Sequence, residues 1–329
     1  MSRFNKSTAV IGILAAMLFL TSGIVMAGGP VDIETIKASA WLDAIQSHSM
    51  VTDDYGCCPI CINPDPSWTA ESDQAGAKFG CSVASAGDVN DDGYDDVIVG
   101  AFLYTNSEGK VVGHAYVFHG GPSGLADTAS WIAEGDQART CFGISVAGAG
   151  DVNGDGYDDI IVGAHDYNIS ETETNRGRVF VYLGSSSGVV GTLCWTAYGD
   201  QNDCMFGYSV AGAGDVNDDG YDDIIIGAHG YDNPEMGEGR AYVYHGSASG
   251  PSPSPSWIGE IDLADNNFGV SVDCAGDVNG DGYDDIIVGA FLSASPYIDE
   301  GNAFVFLGSD TGVVDDFCWM VEDEQEDTG

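Results

Sequence analysis

The stretch Asp88-Val89-Asn90-Asp91-Asp92-Gly93-Tyr94-Asp95-Asp96, followed at once by Val97-Ile98-Val99-Gly100-Ala101, is written four times in this chain. It returns as Asp151 to Asp159, Asp215 to Asp223 and Asp277 to Asp285, each time before a run of isoleucine and valine. Successive first aspartates lie 63, 64 and 62 residues apart. A chain built from one such unit must stack its copies, because a single unit cannot cover its own apolar face.

Each copy sets oxygen-bearing side chains at positions 1, 3, 5 and 9, with glycine at 6 for a sharp turn. Hard oxygen donors at that spacing, with a backbone carbonyl at position 7, are what a Ca²⁺ ion takes. The expected ligands are Asp88, Asn90, Asp92, the carbonyl of Tyr94 and Asp96 in the first copy. In the second they are Asp151, Asn153, Asp155, Tyr157 and Asp159. The third offers Asp215, Asn217, Asp219, Tyr221 and Asp223, and the fourth Asp277, Asn279, Asp281, Tyr283 and Asp285. Carboxylates about 5 Å apart repel by roughly 3 kcal/mol per pair at an effective dielectric near 20, so such a cluster calls for a cation. Up to four Ca²⁺ are expected.

An EF-hand would carry a bidentate glutamate at position 12 and then a helix. Here position 12 is Val99, Val162, Ile226 or Val288, inside a short β-branched run ending in Gly-Ala. Such runs read as buried strands, so the loop belongs to a β-hairpin.

Around each loop the unit carries further marks. Trp68, Trp131, Trp195 and Trp257 each precede a Phe-Gly pair, at Phe79-Gly80, Phe142-Gly143, Phe206-Gly207 and Phe268-Gly269. After the Gly-Ala a variable loop leads to a segment such as Gly113–Gly120, where small residues alternate with aromatics as a strand with two packed faces does. A Ser/Gly turn such as Ser185-Ser186-Ser187-Gly188 follows. Four strands per unit make a propeller blade. The expected fold is therefore all-β, a β-propeller of four-stranded blades. The units run over 67–129, 130–193, 194–255 and 256–317, and Trp319 opens a fifth whose phenylalanine would fall one residue beyond the last.

The Phe-Gly, the acidic loop and the Gly-Ala together resemble FG-GAP repeats, the blades of the integrin α-subunit N-terminal β-propeller. The resemblance covers 68–329 and implies a surface-exposed or secreted, calcium-stabilised propeller that binds other molecules, often in adhesion. It departs from the family in two ways: Phe102, His165, His229 and Phe291 stand where the family has proline, and four repeats fall short of seven blades.

The N-terminus carries Arg3 and Lys6, an apolar run from Ala9 to Leu20, and small residues ending at Ala27. That pattern predicts a signal peptide over 1–27, hence a secreted, cell-surface or periplasmic chain with no membrane insertion after cleavage. Residues 28–66 form a separate segment with a short amphipathic helix expected from Glu34 to Ser47 and a proline-rich connector. Nine cysteines, Cys57, Cys58, Cys61, Cys81, Cys141, Cys194, Cys204, Cys274 and Cys318, leave at least one unpaired if the others form disulfides. The net charge of −43 argues against a nucleic-acid or anionic-membrane partner.

No His-Glu-x-x-His or phosphate loop is present, and the Gly-x-Ser-x-Gly match at Gly184-Ser185-Ser186-Ser187-Gly188 is the Ser/Gly turn of a repeated unit. The expected function is thus a binding or adhesion module, not an enzyme, for a protein or glycan ligand. The alternatives are a structural matrix or surface-layer component, self-association included, or an accessory domain of a larger exported hydrolase. In an up-and-down blade the acidic loops share one end, and the variable loops share the other. Those variable loops hold Tyr104, Tyr167, Tyr231 and Tyr297, which marks that end as the expected ligand face. Asp73, Asp136, Asp200 and Asp262 each follow a tryptophan by five residues and are expected to cap turns.

Overall fold

A computed structural model describes residues 67–322 apart from Glu235, 262–264 and 294–299. The expected signal peptide, the helix over 34–47, Cys57, Cys58, Cys61, Tyr297 and Asp262 lie outside the described residues. Those residues form sixteen strands in four antiparallel sheets, each a meander in chain order, and no helix. The first sheet is β1 (Val83–Gly87), β2 (Asp96–Ala101), β3 (His114–Phe118) and β4 (Trp131–Glu134). The second is β5 (Ser145–Gly150), β6 (Asp159–Ala164), β7 (Arg178–Tyr182) and β8 (Leu193–Tyr198). The third is β9 (Ser209–Gly214), β10 (Asp223–Ala228), β11 (Arg240–Tyr244) and β12 (Trp257–Glu260). The fourth is β13 (Ser271–Gly276), β14 (Asp285–Ser293), β15 (Glu300–Phe306) and β16 (Phe317–Glu322).

These are four propeller blades. The second strand of each reads as an unbroken apolar run because both faces are covered: all six residues of β6 and of β10 are buried. The outermost strands are more exposed, as in β4, where Ile132 and Glu134 face out. The blades stack in chain order through their first strands, β1 on β5, β5 on β9 and β9 on β13, and among the described residues the array is not closed into a ring. From the second unit on, the tryptophan that opens a sequence unit lies in the fourth strand of the sheet before it, as Trp131, Trp195 and Trp257 do in β4, β8 and β12. Trp319 accordingly sits in β16, paired with Val305 of β15. Sheets and sequence units are out of phase by one strand.

The core lies between blades rather than within them. One cluster joins Ile98 and Val117 of the first blade to Phe142, Val146 and Phe180 of the second. Phe142, Phe206 and Phe268 of the Phe-Gly pairs are fully buried, and burying each contributes roughly 2–3 kcal/mol. The glycines of the two motifs meet across the interface. A Cβ on Gly163 would lie 2.0 Å from the carbonyl oxygen of Gly207, so no larger residue fits while the backbones stay where they are. The spacing between blades is set there.

Candidate metal centres

The acidic loops connect the first and second strands of each blade, and all four share one set of backbone bonds to positions 1, 3 and 5. In the first, the amides of Asp92 and Gly93 donate to the two carboxylate oxygens of Asp88, at 3.0 and 2.8 Å. Asp92 N–H is shared with Asn90 Oδ1 at 3.0 Å, and Tyr94 N–H donates to Asp92 Oδ1 at 3.1 Å. The same bonds recur around Asp151, Asp215 and Asp277. Backbone donors thus draw the side-chain oxygens of positions 1, 3 and 5 into one turn. Each strand before the loop ends in a register shift, for example between Gly148 and Gly150, which turns the loop out of the sheet.

Position 9 differs from the others. Asp96, Asp159, Asp223 and Asp285 are fully buried, whereas the side chains at positions 1, 3 and 5 are partly or fully exposed. Asp159 Oδ2 accepts the N–H of Val152 at 3.0 Å, inside its own loop. Its Oδ1 accepts the N–H of Gly184 at 2.8 Å, just beyond the third strand. The other three repeat both bonds. This aspartate therefore fastens the loop to the sheet, a role that its place in the ligand spacing did not disclose. Burial pushes the Asp159 and Asp223 carboxyls up to about 7, and the neighbouring aspartates of the same loops add to the rise. A carboxylate oxygen has lone pairs to spare after one backbone hydrogen bond. The all-oxygen donor set, crowded with like charge, fits a hard divalent cation such as Ca²⁺.

Position 3 alternates between two arrangements. In the second and fourth loops Asn153 and Asn279 turn their amide nitrogens onto Asp155 and Asp281, at 3.0 and 2.8 Å. In the first and third, Asn90 and Asn217 pair instead with His119 and His245, at 3.4 and 3.1 Å. Those histidines also abut Gly188 and Gly312 in the Ser/Gly turn of the next blade, where a Cβ would come within 2.6 Å of the ring. Their shared repeat position was legible in the sequence; their contact with the loops was not.

At the other end of the blades the tyrosines are already engaged. Tyr104 stacks on His114 with ring centroids 3.6 Å apart. The Arg178 guanidinium lies 5.0 Å from the Tyr167 ring, and that of Arg240 lies 3.6 Å from Tyr231. Two of the aspartates expected to cap turns make contacts across blades. Asp136, which follows β4 of the first blade, pairs with Arg178 of β7 at 2.7 Å. Asp200, which follows β8, pairs with Arg240 of β11 at 3.3 Å and accepts the Tyr242 hydroxyl at 2.9 Å. Asp73 accepts the Tyr104 hydroxyl at 3.4 Å. Two of the chain's nine basic residues stand at one repeat position, and that was the available signal. The six described cysteines are all unpaired thiols.

The FG-GAP repeat model matches residues 79–118, 142–182, 206–244 and 268–293. Integrin alpha-4 of Xenopus laevis is 35% identical over 226 residues, covering 67% of this chain and 20% of that protein. Integrin alpha-5 of Xenopus laevis is 36% identical over 185 residues, covering 54% of this chain and 17% of its own length. Integrin alpha pat-2 of Caenorhabditis elegans is 34% identical over 250 residues, 70% of this chain and 18% of that protein. The chain spans about a fifth of the length of these relatives.

Proposed function

Because this chain is an integrin α-like FG-GAP repeat protein, we propose that it is a calcium-dependent binding module exposed outside the cell. The single observation behind this reading is the fourfold recurrence of one oxygen cradle, with the same set of backbone amides donating into it, at one end of every blade. In each, the side chains of positions 1, 3, 5 and 9 and the carbonyl of position 7 would hold one Ca²⁺. The ion would neutralise carboxylates that otherwise repel, and would lock the loop onto the sheet through the position 9 aspartate. The module would meet a protein or glycan ligand with the variable loops at the opposite end, and its part would be recognition rather than catalysis. Export by the N-terminal signal belongs to the same reading.

Titration calorimetry with CaCl₂ tests it. Four sites are expected, with Kd in the roughly 10⁻⁴–10⁻³ M range of extracellular modules that lack the bidentate glutamate. Asp155→Ala is expected to leave three. EDTA should lower Tm, and an unchanged Tm would remove the basis of the reading.

A further inference from the structure

We propose that Cys141, His165 and Asp166 form a second kind of metal site, for Zn²⁺ or another borderline divalent transition ion. It lies on the second blade, at the end away from the acidic loops: Gly150 pairs with Asp159 at the loop end, and Ser145 with Gly163 at the other.

The fold itself brings the three residues together. Asp166 N–H donates to the carbonyl of Thr140 at 3.2 Å, which ties the end of β6 to the turn before Phe142. The same bond recurs from Leu103 to Ala77 in the first blade and from Gly230 to Cys204 in the third. The first three blades thus hold these positions side by side, but the first and third do not fill all three with ligands. They carry Lys78, Phe102 and Leu103 in the first blade, and Met205, His229 and Gly230 in the third. The third blade shares the histidine as His229, but of these three blades the second alone sets a thiol and a carboxylate beside it.

The geometry is compact. The sulfur, a ring nitrogen and a carboxylate oxygen all lie within 4.8 Å of one another, and all three residues are partly buried. Cys141 Sγ is 3.3 Å from Asp166 Oδ2, and His165 Nδ1 is 2.9 Å from Asp166 Oδ1. Tetrahedral bonds of about 2.0–2.3 Å would set such atoms about 3.3–3.8 Å apart, so small side-chain movements suffice. His165 Nδ1 is also buried without a well-directed hydrogen bond, despite its closeness to the carboxylate. A buried ring nitrogen left so, beside a thiol and a carboxylate, has the partner it lacks in a metal ion.

Three protein ligands leave a fourth position for water. Sulfur and nitrogen donors select against Ca²⁺, so this site and the acidic loops would not compete for one ion. Binding replaces the S–H bond of Cys141 with a sulfur–metal bond and releases one proton to solvent. In the metal-free protein the thiol is held protonated by burial and by Asp166.

Cobalt(II) is the probe, since a thiolate ligand to Co²⁺ produces a charge-transfer band. The experiment uses the full chain with Cys57, Cys58 and Cys61 replaced by serine, saturated with CaCl₂. One equivalent of Co²⁺ is expected to produce the thiolate band and tetrahedral visible bands, and Zn²⁺ should bleach both. Cys141→Ser should abolish the thiolate band while the circular dichroism and Ca²⁺ stoichiometry stay unchanged. Asp166→Asn and His165→Gln should each weaken Co²⁺ binding at least about tenfold. Cys81→Ser, a neighbouring thiol, should keep the band. Absence of the band in the parent, or its survival in Cys141→Ser, overturns the site, and neither result touches the calcium loops.

Discussion

Asp158 Oδ2 accepts the backbone N–H of Asp88 at 2.7 Å, and Asp158 N–H donates to the Asp88 carbonyl at 3.3 Å. Position 8 of one acidic loop thereby clasps position 1 of the loop on the preceding blade. Asp222 does the same to Asp151, at 2.8 and 3.2 Å, and Asp284 to Asp215, at 3.1 Å for both bonds. The residue beside the buried position 9 aspartate is thus an inter-blade strut in the second, third and fourth blades, and the candidate metal centres form a continuous row instead of four separate loops.

Loss of a clasp should cost stability. Asp222→Ala leaves the Asp151 amide without its acceptor and is expected to cost about 1–3 kcal/mol. Asp95 holds the same position in the first blade, but it is exposed and no blade precedes it among the described residues. Asp95→Ala should therefore stay within about 0.5 kcal/mol of the parent. Equilibrium urea unfolding in saturating Ca²⁺ reads the difference, and equal costs would show that the clasp carries no energy.

The glycine before each loop gives a second, independent test. Gly214 and Gly276 have the same left-handed backbone, at φ 71° and 68°. A Cβ on Gly214 would lie 2.2 Å from Asp284 Oδ2, whereas on Gly276 it would meet nothing within 4 Å. Gly276→Ala should cost only the backbone strain, about 1–2 kcal/mol. Gly214→Ala should cost that plus a displaced clasp, roughly 1–3 kcal/mol more. Paired thermal unfolding curves check the ranking.

His229 should make the fold sensitive to mild acid. Burial, helped by the nearby His165, lowers the His229 imidazole to about 4, below its ordinary 6.5. The unfolded chain therefore binds the proton first, and stability is lost as pH falls from 6.5 toward 4. His229→Gln removes this contribution, so its Tm should fall less than that of the parent between pH 6.5 and 5. Parallel slopes would show that the ring is not held neutral by the fold.

The basic residues in the third strands hold neighbouring blades together. Arg240 reaches Asp200 across the interface, bonds Glu260 within its own blade, and lies over Tyr231. Arg240→Ala removes both ion pairs and the aromatic contact, at an expected cost of about 3 kcal/mol. Asp200 is half exposed, so its ion pair contributes little, and Asp200→Ala, which also removes the acceptor of the Tyr242 hydroxyl, should cost about 1–2 kcal/mol. Denaturant midpoints of the two variants measure the asymmetry.

What could be read from the chain alone was whatever depends on neighbours in sequence. The ligand spacing within Asp88 to Asp96, the turn at Gly93 and the apolar run after it are local, so the loop and its hairpin followed from residue order. The repeat then required stacking, because β-branched runs such as Ile224-Ile225-Ile226 need cover on both faces. Which residue reaches which neighbouring blade depends on how far apart the sheets stand and how they are turned. That spacing comes from backbone meeting backbone, as at Gly163 and Gly207. Only the packed structure could therefore assign Asp158 to the clasp, Asp136 to Arg178 and His119 to Asn90. The same holds for the second blade's thiol, which stands 24 residues from the imidazole and 25 from the carboxylate along the chain but within 4.8 Å of both in space.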